Sequence, residues 1–287
     1  MTTQQDDYTL AIARYPLVLS IAGSDSGGGA GIQADLKTAA AMGCFGMTAI
    51  TAVTAQNTQG VRAIHALPPE LLAQQIDAVV EDIGVDAVKI GMLHDAAVVR
   101  VVAAALRRHR LRCVVLDPVM VATSGDRLIA DDTAAVLVQE LFPLSTLVTP
   151  NLDEAAMLLG RPIDAVAQLD AAARDLLALG APAVLLKGGH LPGAEVVDVL
   201  LQASAPDAPR HWQEIRIPSR NTHGTGCTLS TAIACELALG RPLAEAVDHA
   251  RRYVQQALAA GAELRVGHGH GPLNHGFAPL PAYRLPL

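Results

Sequence analysis

The chain has 287 residues, 51% of them hydrophobic, which is enough to bury the core of one large α/β domain or two small ones. Its formal net charge of −7 at pH 7 argues against a nucleic acid or an anionic membrane as partner, because both need a basic surface. The first residues contain neither a basic nor an apolar stretch, so a signal peptide is not expected.

The cysteines indicate a reducing compartment. Cys44, Cys113, Cys227 and Cys235 form no Cys-x-x-Cys pair, so neither a zinc site nor a disulfide framework is suggested. A cytoplasmic location fits best. The uncharged stretch Thr38–Val61 is interrupted by Thr, Gln, Asn and Gly, and it is interpreted as helix end, turn and strand rather than as a membrane span.

Short apolar runs alternate along the chain with amphipathic segments, which predicts a repeated strand–helix order. The predicted strands are Leu17–Ala22, Met47–Ala55, Asp86–Ile90, Cys113–Leu116, Thr146–Thr149, Ala183–Lys187, Glu195–Leu201 and Trp212–Ile217. The predicted helices are Ala34–Met42, Pro68–Asp82, Asp95–His109, Asp131–Glu140, Leu152–Leu159, Ile163–Leu179, Thr225–Leu239 and Leu243–Ala259. The Ala- and Pro-rich piece Ala203–Pro209 is predicted to be a loop.

This order predicts a three-layer α/β/α fold, with a mostly parallel central sheet and helices on both faces. Residues 17–287 are expected to form a single domain, preceded by a flexible N-terminal extension at residues 1–16. Ligands of open α/β sheets bind beyond the carboxyl ends of the strands, and the polar motifs of this chain lie at those ends.

The first motif is the segment Gly23–Gly31 (GSDSGGGAG), between a predicted strand and a predicted helix. Five glycines in nine residues allow positive φ angles and let the backbone come close to a ligand. Asp25 follows the strand, where its carboxylate could hydrogen-bond that ligand. A dinucleotide-binding glycine pattern is a competing interpretation, and such a match alone is weak.

The second motif is Asn221–Ser230 (NTHGTGCTLS), which opens a long apolar helix. Unpaired N–H groups at the start of a helix bind anions, so this turn is predicted to hold a phosphoryl group. Cys227 would lie in the first helical turn, where the pKa of a thiol is lowered. It could then accept a proton from a substrate hydroxyl.

Further polar residues follow predicted strands. Asp117 and Glu154 are candidate Mg²⁺ ligands, directly or through water, because this cation prefers a few carboxylates together with water and phosphate oxygens. Asn151 precedes Glu154 and could equally be an ordinary helix N-cap. Lys187, before two glycines, is predicted to reach a phosphate as a point charge. The histidines, including His223, show no recognisable metal-binding spacing.

Taken together, these motifs resemble the hydroxymethylpyrimidine/phosphomethylpyrimidine kinases of thiamine biosynthesis. The resemblance is carried, in order along the chain, by IAGSDSGGGAGIQADLKTAAAMGCFGMTAITAVTAQNTQGV, VKIGML, VVLDPVM, LVTPNLDEA, LLKGGH and NTHGTGCTLSTAIA. It implies a ribokinase-like fold, a homodimer, and two ATP-dependent steps in one site. The first would phosphorylate 4-amino-5-hydroxymethyl-2-methylpyrimidine, and the second would phosphorylate the resulting monophosphate.

The resemblance also implies roles for individual residues. The pyrimidine pocket would comprise Gly23, Asp25, Thr54, Gln56 and Met92, with Gln56 reading the aminopyrimidine edge, since an amide offers both a donor and an acceptor. The anion hole would comprise Gly224, Thr225, Gly226 and Cys227. The resemblance implies Mg²⁺ near Asp117 and Glu154, and ATP near Lys187 and Asn151.

Three other functions remain open at this stage. A pyridoxal kinase would share the fold and the cysteine, but its substrate lacks the aminopyrimidine edge. A non-catalytic pyrimidine-binding protein is disfavoured by the intact turn at residues 224–227. A dinucleotide oxidoreductase would need an acidic residue after its second strand, and Thr54–Asn57 offers none.

Overall fold

The structure is a computed structural model that describes residues 13–121, 128–130 and 132–286. Its described strands are β1 (Ala13–Arg14), β2 (Leu17–Asp25), β3 (Phe45–Asn57), β4 (Gly60–Ala66), β5 (Ala87–Ile90), β6 (Val114–Leu116), β7 (Leu147–Val148), β8 (Ala183–Leu186), β9 (Glu195–Gln202), β10 (Ala205–Ile215) and β11 (Leu285–Pro286). Its described helices are α1 (Gly31–Ala41), α2 (Pro69–Asp82), α3 (Ala96–Arg108), α4 (Thr133–Leu141), α5 (Leu152–Leu159), α6 (Leu169–Ala178), α7 (Thr225–Ala238) and α8 (Leu243–Gly261).

The central sheet has the strand order β10-β9-β8-β7-β6-β5-β2-β3-β4. The six strands from β8 to β3 in this order are parallel, while β9, β10 and β4 add antiparallel edges. One apolar cluster packs α2 to α6 against one face of the sheet, and a second packs α1, α7 and α8 against the other. The predicted three-layer α/β/α fold with a mostly parallel sheet is therefore confirmed.

Local sequence chemistry accounts for the ends of several helices. The side chain of Asp95 accepts the N–H of Val98 at 2.9 Å and so starts α3, while Pro69 occupies the first turn of α2, where its missing N–H costs nothing. Gly160 ends α5 with a φ of 65°, a left-handed conformation that suits glycine. No helix in the described ranges is both long and apolar enough to cross a bilayer.

Some sequence predictions differ from the structure. Ala203–Pro209 is not a loop throughout, because β10 begins at Ala205 and pairs antiparallel with β9 across a register shift. Strand β4 was not predicted, and α6 begins at Leu169 rather than at Ile163, after a short 3₁₀ turn. The prediction that a helix begins at Asp131 falls outside the described residues.

The predicted flexible extension covered residues 1–16, of which residues 1–12 lie outside the described part of the chain. Ala13 and Arg14 pair with Pro286 and Leu285. The guanidinium of Arg14 also donates two hydrogen bonds to the carboxylate of Asp86, at 2.5 and 3.0 Å. These contacts involve the last residues of the predicted extension, whose flexibility stays a prediction.

Candidate active site

One cavity of about 840 Å³ opens at the carboxyl ends of the parallel strands. It is lined by all the residues that the sequence analysis singled out: Gly23, Asp25, Thr54, Gln56, Met92, Asp117, Asn151, Glu154, Lys187, Gly224, Thr225, Gly226 and Cys227. Nine of them lie on or shortly after the six strands that end at this edge, β2, β3, β5, β6, β7 and β8, while residues 224–227 lie at the start of α7. The individual roles of these residues remain predictions.

The carboxylate of Asp25 organises the glycine-rich loop after β2. It accepts backbone N–H groups from Gly27, Gly29 and Ala30 at 2.8 to 3.0 Å, and the Nε2 atom of His223 lies 2.9 Å from its Oδ2. Burial acts to raise the pKa of Asp25, but these hydrogen bonds outweigh burial and hold the pKa below its usual value. Asp25 is therefore ionised and already bound by the protein on both oxygens, which gives it a structural part in shaping the pocket.

The Gln56 backbone is clamped to the same loop. The hydroxyl of Ser26 donates to the Gln56 carbonyl at 2.8 Å and accepts the Gln56 N–H at 2.9 Å. The side chain of Gln56 extends toward Thr54 and His223. The end of β3 thus projects an amide into the cavity from a fixed backbone.

The turn before α7 requires glycine at position 224. Gly224 has a φ of 82°, and a Cβ there would lie 1.9 Å from the carbonyl oxygen of Gly29. The glycine-rich loop and this turn are consequently in direct backbone contact. In the described residues, the amides of Gly226 and Cys227 make no backbone hydrogen bond, as expected for the first turn of a helix. These N–H groups are available to an anion.

Charged groups gather beside this turn, since a Cβ on Gly226 would lie 3.2 Å from Lys187 Nζ and 3.3 Å from Asp117 Oδ2. Asp117 is 1% exposed, and its Oδ1 accepts hydrogen bonds from Lys187 Nζ at 2.8 Å and from Thr149 Oγ1 at 3.2 Å. Burial would lower the pKa of Lys187, but Asp117 and Glu154 together raise it. Lys187 therefore carries a full positive charge where a phosphate could meet it.

Glu154 belongs to a capping box at the start of α5. The side chain of Asn151 accepts the N–H of Glu154 at 2.9 Å, and Oε2 of Glu154 accepts the N–H of Asn151 at 2.7 Å. Asn151 is thus the helix N-cap that the sequence analysis left open. Burial, reinforced by the nearby Asp117 and opposed by Lys187, raises the pKa of Glu154 to about 8.

The thiol of Cys227 differs from the prediction. The sequence analysis expected the helix start to lower its pKa, whereas burial raises it to about 11. The ammonium of Lys89 and a backbone hydrogen bond from Gly31 act in the opposite direction but do not outweigh burial. The prediction was wrong because a helix N-terminus provides only partial charge, while the thiol is enclosed by protein on most sides.

We expect alkylation of Cys227 by iodoacetamide to become faster with increasing pH, by about tenfold per unit from about pH 7 to about pH 10, because only the thiolate reacts. Peptide mass spectrometry of briefly labelled native protein would measure this rate. The buried thiols of Cys44 and Cys235 serve as internal controls and should remain unlabelled. A labelling rate that levels off near neutral pH would contradict the raised pKa.

Lys89 also lines the cavity, and the sequence analysis did not single it out. Its Nζ is fully buried and donates to both oxygens of Asp35, at 3.0 and 2.8 Å. Asp35 also accepts from the hydroxyls of Ser20 at 2.5 Å and Thr231 at 2.7 Å. Burial would lower the pKa of Lys89, but Asp35 and nearby acidic groups raise it. The sequence feature that could have identified Lys89 is a single charged residue within the otherwise apolar strand β5.

The fold matches that of a class of small-molecule kinases. A solved structure of Bacillus subtilis pyridoxal kinase, determined as an ADP complex, superimposes with a TM-score of 0.83 and 34% sequence identity, and the match covers 91% of this chain and 98% of that one. The chain therefore has the ribokinase-like fold that the resemblance implied.

Closer relatives narrow the class to one family. The phosphomethylpyrimidine kinase family matches residues 25–274, and the chain belongs to this family. It is 51% identical to the hydroxymethylpyrimidine/phosphomethylpyrimidine kinase of Rhizobium meliloti over 260 residues, covering 90% of this chain and 96% of the relative. It is 52% identical over 258 residues, or 90% of its length, to a thiamine biosynthesis bifunctional protein of Geobacter sulfurreducens, of which it spans 52%.

Proposed function

We propose that this protein is an ATP-dependent kinase that phosphorylates the hydroxymethyl group of 4-amino-5-hydroxymethyl-2-methylpyrimidine and then phosphorylates the monophosphate to the diphosphate, in thiamine biosynthesis. One observation carries the proposal. A single cavity contains an amide pocket at Gln56, the glycine turn at residues 224–227, and the cation Lys187. This arrangement suits in-line phosphoryl transfer. The acceptor would bind at Gln56, the migrating phosphoryl group at the glycine turn, and the phosphate donor at Lys187.

In this proposal the protein acts through position and charge. Phosphoryl transfer has a loose transition state, so the protein contributes alignment and charge neutralisation rather than covalent chemistry. The free N–H groups of Gly226 and Cys227 hold the moving phosphoryl group, and Lys187 neutralises phosphate charge on the ATP side. Each preorganised donor of this kind is worth about 10²–10³ in rate.

The carboxylates of Asp117 and Glu154 are suited to Mg²⁺. Both are almost fully buried beside the cavity, and the mutual repulsion of the two groups contributes to the raised pKa of Glu154. Asp117 and Glu154 would hold a divalent cation through their oxygens, the ligands that Mg²⁺ prefers, and its charge would relieve that repulsion. When bound, the ion would neutralise charge on the phosphates of ATP.

Cys227 is proposed to take the hydroxyl proton in the first step. Its thiol is protonated at neutral pH in the free protein, so only the small thiolate fraction, formed when the thiol releases its own proton to water, takes the hydroxyl proton. The second acceptor is already a phosphate and needs no base. Cys227→Ala should therefore slow the first step more than the second, and an equal loss in both steps would count against the assignment.

Pyridoxal phosphorylation is the second candidate function, favoured by the TM-score of 0.83 with a pyridoxal kinase. The higher identity of 51% to the Rhizobium relative supports the pyrimidine. Measuring ADP release with each alcohol, with and without Mg²⁺, would compare the two. We expect kcat/KM to favour the pyrimidine, and a preference for pyridoxal would overturn the proposed function.

The proposed location is the cytoplasm, and the four free thiols are compatible with its reducing conditions. The proposed assembly is a homodimer. Light scattering coupled to size-exclusion chromatography would test the assembly. A mass of two chains is expected, and a mass of one chain at working concentration would contradict it.

A further inference from the structure

The carboxamide of Gln56 lies between two partners that together decide which way it faces. Its nitrogen lies 3.4 Å from His223 Nε2, and its oxygen lies 3.2 Å from Thr54 Oγ1. The oxygen and nitrogen of a carboxamide have nearly the same shape, so the surrounding hydrogen bonds must determine the orientation.

His223 presents a donor at Nε2. This atom lies 2.9 Å from Oδ2 of Asp25, which is ionised and can only accept. Nε2 must therefore carry a proton, whether the ring is neutral or charged. An amide nitrogen facing the same Nε2 would place two donors against each other, whereas an amide oxygen would share the N–H.

Thr54 points to the same orientation. Its hydroxyl donates its one proton to the carbonyl of Ser24, at 2.9 Å. Thr54 Oγ1 can then only accept a hydrogen bond from Gln56. It can accept one from the amide N–H but not from the amide oxygen. Both contacts are satisfied if the carboxamide is turned by half a rotation.

We propose that His223 and Thr54 are positioning residues that hold the Gln56 carboxamide with its oxygen toward His223 and its nitrogen toward Thr54, so that the pocket selects an aminopyrimidine edge. This inference rests on the proposed function. One lone pair and one N–H of Gln56 remain free to face the cavity. A matching ligand places a donor on the His223 side and an acceptor on the Thr54 side.

The substrate has this order of groups. Its exocyclic amine is on the ring carbon next to the one that carries the hydroxymethyl group, and the ring nitrogen is one position further away. His223 directly precedes Gly224 in the turn where the phosphoryl group arrives. With the hydroxymethyl group directed at that turn, the amine falls on the His223 side and the ring nitrogen on the Thr54 side.

The 4-oxo analogue of the pyrimidine alcohol is the discriminating probe, since its carbonyl and ring N–H reverse the donor and acceptor. In the wild-type protein we expect kcat/KM to favour the 4-amino substrate by about 10² or more. His223→Leu removes the Nε2–H, and Thr54→Val removes the lone pair. Each should free the carboxamide to turn and reduce this selectivity about tenfold or more. Thr54→Ser keeps the hydroxyl and should keep the wild-type ratio.

A purely structural role for His223 or Thr54 would slow both substrates equally and leave the ratio unchanged. That outcome, or a wild-type ratio near one, would overturn the inference while leaving the kinase function intact. Thr54→Val is nearly the same size as the native residue, so the test stands even if His223→Leu fails to fold. If the wild-type protein phosphorylates neither pyrimidine, the proposed function itself fails.

Discussion

Gly224→Ala is expected to lower kcat for phosphoryl transfer by about 10²–10³. This is the loss in rate typical of removing one preorganised hydrogen-bond donor to the transition state. The new Cβ would lie 1.9 Å from the carbonyl oxygen of Gly29, which belongs to backbone and cannot rotate away. The turn would have to move away from the glycine-rich loop, and the N–H groups of residues 226 and 227 would move with it. Steady-state kinetics with the pyrimidine alcohol and ATP would measure the loss.

Gly240→Ala is the matched control, because it separates backbone strain from displacement of the turn. Gly240 has a φ of 78°, close to the 82° of Gly224, but a Cβ there meets nothing within 4 Å. It lies just beyond the opposite end of α7 from the turn. We expect this variant to lose about 1 kcal/mol in free energy of unfolding and to retain kcat. Equal kcat in the two variants would show that the position of the turn does not limit transfer.

Lys89→Met is expected to lower the free energy of unfolding by about 3–5 kcal/mol, because it leaves the buried carboxylate of Asp35 without its counter-charge. Both side chains of this ion pair are at most 1% exposed. Chemical denaturation monitored by circular dichroism would measure the loss. A loss below about 1 kcal/mol would mean that the pair is no stronger than a surface pair.

Two further variants sharpen this test. Lys89→Met combined with Asp35→Asn removes both charges and should recover part of the lost stability, since no unpaired buried charge remains. Arg107→Met breaks the exposed pair with Glu140, whose members are 52% and 26% exposed, and should cost less than about 1 kcal/mol. A double variant no more stable than Lys89→Met would contradict the electrostatic explanation.

The sequence predicted the fold and the gathering of the candidate residues because these depend on local patterns. Short apolar runs between amphipathic segments indicated the parallel strands. Parallel strands place their carboxyl ends on one edge of the sheet. Asp117 and Lys187 could be assigned to that edge from their positions after β6 and β8. No contact between distant segments was needed to bring them together.

Properties that arise from distant segments could not be predicted in this way. The raised pKa of Cys227 follows from burial by segments that are remote in sequence, which outweighs the opposing effects of Lys89 and Gly31. The bond between His223 and Asp25 joins residues that are 198 positions apart. The start of edge strand β10 was missed, although its final part was predicted from Trp212 onward, because Ala and Pro disfavour strands locally, whereas pairing with β9 overrides that preference.

Phosphorus NMR of the protein mixed with ATP, Mg²⁺ and 4-amino-5-hydroxymethyl-2-methylpyrimidine would follow both proposed phosphorylations in one sample. The account predicts a phosphate ester of the pyrimidine first, then its diphosphate, with one ADP formed for each phosphoryl group transferred. ATP converted to ADP and free phosphate with no pyrimidine ester, or no turnover at all, would contradict it.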